Sequence, residues 1–153
     1  MEEAIGRCFG RSVKEIIMRE QIDHLFKEVR TKLDGAEKRI KDLNAAAKTA
    51  AERAKAQAKT QLATLETKAK EHHAKVEAAE AKAKKWLEEK KAAPADKIAS
   101  WKAQHEVKRL DAYAKLAEDY AAASIGAATS AIDEAELAVV QAIDARLDAD
   151  AAK

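Results

Sequence analysis

One proline, four glycines and one cysteine occur in 153 residues, and aromatic side chains make up 4% of them. Scarce glycine and proline leave few of the turns on which loop-borne sites are mounted. With no alternating strand pattern beside them, the fold class is all-α. The lone Cys8 excludes an intrachain disulfide, which fits a reducing compartment. No apolar run reaches the length of about 20 residues that a bilayer span needs. The opening MEEAIGRCFG carries acid where a secretory signal carries positive charge, so a soluble, cytoplasmic protein is expected.

What the chain has in abundance is alanine, 38 residues of it, together with Lys and Glu, also strong helix formers. Because alanine accounts for more than half of the 47% hydrophobic content, only a thin core can form. Basic and acidic residues number 29 and 27, for a net charge of +2, so the chain as a whole calls for no polyanionic partner. The charge is uneven: residues 36–92 hold 15 basic and 9 acidic side chains, residues 93–153 hold 7 and 11.

Val29, Leu33, Ala36, Ile40, Leu43, Ala47, Ala50 and Ala54 recur at steps of three and four, as one face of a helix does. The stripe then moves by four and four through Ala58 to Leu62 and resumes from Leu65 to Trp86, which reads as a stutter within an unbroken helix. Asp34 and Glu37 form a capping-box arrangement beside Gly35, marking a helix start. Ala93 precedes the only proline and is biased towards extended backbone, marking a helix end. The expected architecture is a single helical domain, residues 1–153, with an N-terminal helix over 2–33, a long basic helix over 35–92 and a long acidic helix over 95–150. Its clearest late stripe is Ile125, Ala128, Ile132, Ala135, Val139, Ala142 and Arg146.

Folding the chain back at Pro94 makes a long, coiled-coil-like antiparallel hairpin in which Trp86 lies opposite Trp101. Asp144 and Asp148 then come beside Lys38, Arg39 and Lys41. Across this hairpin large residues meet small ones, as close packing requires. The rival, one extended helix kinked at Pro94, carries an interior proline at a cost of roughly 3 kcal/mol. The shorter N-terminal helix, through Ile16, Ile17, Leu25 and Phe26, is expected to cover the half distant from Pro94. The other half would be two helices thick, and dimerisation would complete it as a bundle. Trp86, Trp101, Tyr113 and Tyr120 are the expected residues of self-association with a homodimer partner or another protein.

Candidate chemistry is sparse. His73 and Glu77 share a helix face, as do His24 and its neighbours Glu20 and Glu28. Carboxylate-bridged metal bundles need Glu-x-x-His pairs on two helices, and the chain has none, so no metal or other cofactor is expected. Cys8 has no adjacent histidine to activate it, and no catalytic residue is assigned. Lys82, Lys84, Lys85, Lys90 and Lys91 form the candidate polyanion surface, although their charge alternates with glutamate as on a solvated face. IGRCFGRS followed by SVKEIIM is a candidate contact for a membrane or granule surface. The broad composition is similar to that of granule-coating phasins and other alanine-rich coiled-coil proteins, with no motif carrying the likeness and no family following from it. The expected role is that of a non-catalytic structural or partner-binding protein.

Overall fold

The computed structural model describes residues 2–153, with side chains from Glu20 onward. Among these residues the chain is all-α and forms four helices: α1 (Glu2–Thr49), α2 (Ala51–Ala92), α3 (Ala95–Ala103) and α4 (Val107–Ala151). None is long and apolar enough to cross a membrane.

The helix boundary expected at Asp34 and Gly35 does not form, and α1 runs through both residues. An interior glycine costs a helix only about 1 kcal/mol, and packing just beyond it opposes the break: Ala36 and Leu43 are both buried. Gly35 also leaves room for Arg39, whose Nη1 would lie 3.2 Å from a Cβ placed there. The break falls at Ala50 instead (φ −151°, ψ 87°), where no side chain caps α2. Backbone bonding nearly bridges the corner, with Ala50 N donating to Ala46 O at 2.8 Å and Ala54 N to Ala50 O at 3.0 Å. The reward for turning is tertiary: Leu43, Ala54, Ala58, Leu65 and Val140 form the buried core where α1, α2 and α4 meet. Alanine side chains at the corner let the two helices close on each other without obstruction.

At the other end Pro94 does interrupt the chain. Its φ of −63° suits its place as N-cap of α3, and its carbonyl accepts from Lys97 N and Ile98 N. A second interruption, without glycine or proline, follows at residues 104–106. There Glu106 N donates to Trp101 O at 2.9 Å and His105 N to Lys102 O at 3.2 Å, the bonding of a Schellman end with histidine in the left-handed position (φ 52°) that glycine usually takes. Relief of this conformation gives a prediction: His105→Gly raises stability by about 0.5–1 kcal/mol, read as a higher urea midpoint with unchanged slope.

Helix α3 and its end take residues 95–106 out of the long pairing, and this shifts the register. Ion pairs and ring contacts join Lys55 to Asp144 and Asp148, His72 to Glu134, Lys82 to Asp119 and Trp86 to Tyr113. Partners descend along α4 as residues ascend along α2, so these helices run antiparallel. Trp86 therefore meets Tyr113, not Trp101, and Asp144 and Asp148 meet Lys55, not the Lys38 to Lys41 segment. Lys32 pairs with Asp133 and Arg39 with Glu136, so α1 runs parallel to α4.

Candidate functional site

Two stripes compete for the inside of α4. Ile125, Ala128, Ile132, Ala135, Val139 and Ala142 recur at helical spacing, and so do Ser130, Asp133, Glu136 and Val140, turned by about one residue or 100°. The structure buries the second: Ser130, Asp133 and Glu136 are 1%, 3% and 2% exposed, while Val139 of the apolar stripe is 39% exposed. The cause is charge. Arg39 grips Glu136 bidentately, Nε to Oε1 at 2.6 Å and Nη2 to Oε2 at 2.9 Å, and the Lys32 ammonium donates to Asp133 Oδ2. The hydrogen bond with Glu136 pushes the Arg39 pKa up, against the pull of burial, and the charges of Glu136 and Asp133 add to it. Asp133 Oδ1 is buried and has no hydrogen-bond partner among the described residues.

Ser130 extends this polar row towards α2. His72 Nδ1 lies 2.7 Å from Ser130 Oγ, and its Nε2 2.9 Å from Glu134 Oε2. The order serine, histidine, carboxylate is that of an activated nucleophile. Here, however, Ser130 is closed to solvent and its hydroxyl lies 2.9 Å from Ala127 O, to which it donates. The amides around it belong to an unbroken helix and are already hydrogen-bonded, so they offer nothing to a developing oxyanion. The three residues act as a clasp between α2 and α4.

Turning the polar row inward leaves the apolar stripe outside. With Leu33, Ala36 and Ile40 of α1, residues Ala128, Ile132, Ala135 and Val139 line an open groove of about 510 Å³ between α1 and α4. Leu33 is 53% exposed. Glu37 and Lys41 stand on the rim, 2.6 Å apart. Their mutual hydrogen bond, and then their charges, lower the Glu37 pKa and raise that of Lys41.

The four aromatic residues do not make one surface. Trp86 packs on Tyr113 with centroids 4.8 Å apart and planes at 56°, and Lys90 Nζ lies 6.0 Å from its ring centre. Trp101 is buried elsewhere, with Lys97 and Arg109 within 6 Å of its ring. Tyr120 is half-buried on α4. Of the five candidate lysines, Lys82 faces Asp119 at 3.6 Å and Lys90 covers Trp86, while Lys84, Lys85 and Lys91 are exposed. His73 and Glu77, and His24 and Glu28, are exposed pairs 3.7 and 3.6 Å apart. Among the described residues no three His, Cys, Asp or Glu side chains converge as metal ligands. Leu25 is half-buried and Phe26 exposed, whereas the side chains of Cys8, Ile16 and Ile17 and the IGRCFGRS contact lie outside the described residues.

The α1/α4 groove was missed by sequence reasoning because a helical stripe identifies an apolar face and not what covers it. One signal was present: DEAE interrupts the stripe, and its Asp133 and Glu136 match Lys32 and Arg39 a hundred residues earlier. Compared with protein-family models, curated proteins and solved structures, the chain matches none of them.

Proposed function

We propose that this protein is a non-catalytic scaffold, a helical hairpin that self-associates or holds a protein partner through helix surfaces. The observation that carries the reading is the α1/α4 groove, where Leu33, Ile40, Ile132 and Val139 leave apolar area open in a chain that is 37% charged. Contiguous apolar surface bordered by charge is characteristic of interaction sites. The interface expected from the aromatic residues thus moves to the opposite half, because Trp101 and the Trp86–Tyr113 pair are already packed within one chain. Polyanion binding keeps weaker support, since Lys82 and Lys90 are engaged and three exposed lysines remain.

Sedimentation equilibrium tests the scaffold reading. The expected result is a concentration-dependent dimer whose dissociation constant rises at least about tenfold, near 1.4 kcal/mol, in Val139→Asp. Far-UV circular dichroism of that variant should match the parent, because Val139 is exposed. A chain that stays monomeric at high concentration, and retains no partner through this face, would sink the proposal.

A further inference from the structure

The open face of α4 has a size pattern that is its own complement. From Ile125 to Ala142 it alternates large and small in the order Ile125, Ala128, Ile132, Ala135, Val139, Ala142. Reversed end for end about the point between Asp133 and Glu134, the same list places Ile125 against Ala142, Ala128 against Val139 and Ile132 against Ala135. Every large side chain then meets an alanine. A parallel pairing in register would set Ile132 on Ile132 and Ala128 on Ala128, giving alternate bulges and voids, which close packing penalises.

The surroundings agree. Ala128, Ala131, Ala135, Ala138, Val139 and Ala142 are all exposed, so this side of the helix presents no charge to an approaching chain. The nearby carboxylates are turned away, Asp133 and Glu136 to Lys32 and Arg39 and Glu134 to His72. Small side chains allow a second helix to approach closely, and Leu33 and Ile40 on α1 stand ready to flank it. On the rim Glu37 and Lys41 already pair with each other, so neither sets an uncompensated charge against an approaching chain.

We infer that α4 pairs with α4 of a second copy of this chain, antiparallel, about a twofold axis passing between Asp133 and Glu134. The inference rests on the reading of the α1/α4 face as an interaction surface and fixes its occupant and register. Two helices pair along residues 125–142, about 26 Å at 1.5 Å per residue, with α1 of each copy closing one side.

The test exchanges large for small across the axis in the full-length chain. Ile132→Ala leaves a void and Ala135→Ile a clash, and each alone is expected to weaken the dimer about tenfold or more. The double variant Ile132→Ala/Ala135→Ile restores one large and one small residue to each contact and should return to within about threefold of the parent, a coupling that only neighbours in one interface show. Loss in the double equal to the product of the two single losses overturns the register. Double electron–electron resonance then reports direction, using a spin label at Ala149→Cys with Cys8→Ser. The antiparallel pair puts the two labels about 45 Å apart along the axis at 1.5 Å per residue, and a parallel pair puts them side by side. A dimer with adjacent labels overturns this inference while leaving self-association standing. A chain that never dimerises overturns it and leaves only a different protein to fill the face.

Discussion

Replacing Leu43 with alanine is expected to lower the stability of the folded chain by about 3–4 kcal/mol, within the range for buried leucine truncations. Leu43 is fully buried where α1, α2 and α4 meet, against Ala54, Ala58, Leu65 and Val140. It is the largest side chain with no exposed surface among the described residues. The cost falls in the upper part of the range because two of its buried neighbours are alanines, whose methyl groups cannot swing into the space it vacates. The helices would have to move as bodies, and the corner at Ala50 limits that movement. Domains of this kind hold about 5–15 kcal/mol in total, so the loss is a large fraction of the whole. Urea unfolding followed by far-UV circular dichroism measures it. A dilute sample keeps self-association from masking the effect by mass action. Leu87→Ala is the control: Leu87 is exposed on α2, and its loss should cost less than about 1 kcal/mol. Equal losses in both variants would mean that the three-helix junction is not where the stability lies.

The same junction marks the limit of what was legible in the sequence. Helix content followed from alanine, lysine and glutamate and from the scarcity of breakers, and the interruption at Pro94 followed from backbone restriction. Both are local properties. The breaks at Ala50 and at residues 104–106 have no such mark, since alanine is the best helix former and histidine takes the left-handed position without a glycine. The break at Ala50 is favoured by contacts between residues far apart in sequence, and its local trace, the displaced stripe around Ala58, also fits a stutter in a straight helix. Gly35 shows the converse, a local breaker signal overridden by packing. The aromatic pairing failed for a geometric reason: α3 inserts about a dozen residues between the halves, enough to bring Tyr113 to Trp86 in place of Trp101. As for the interaction surface, its apolar stripe was visible, but its placement inside or outside depended on two distant cations.

Arg39 is the more consequential of those cations, and Arg39→Ala should cost about 2–3 kcal/mol. The carboxylate of Glu136 is almost wholly enclosed between α1 and α4, and Arg39 donates a hydrogen bond to each of its two oxygens. Breaking a buried pair from one side typically costs about 3–5 kcal/mol because an uncompensated charge is stranded. The lower figure is expected because the Arg39 side chain is 46% exposed, so water can follow it into the gap. Removing both charges is a different change. Arg39→Met/Glu136→Leu replaces the pair with apolar side chains of similar volume and is expected to lie within about 1 kcal/mol of the parent. The order of stabilities is therefore the diagnostic: the single variant falls well below the double. The hydrogen bond with Glu136 raises the Arg39 pKa above its ordinary value, so its contribution is fully present below that ordinary value and is lost only as the pH rises through the raised one. Moderate alkali should consequently leave the pair intact. If Arg39→Ala and the double variant lose the same amount, Glu136 is not buried against α1, and the apolar stripe of α4 would be free to turn inward.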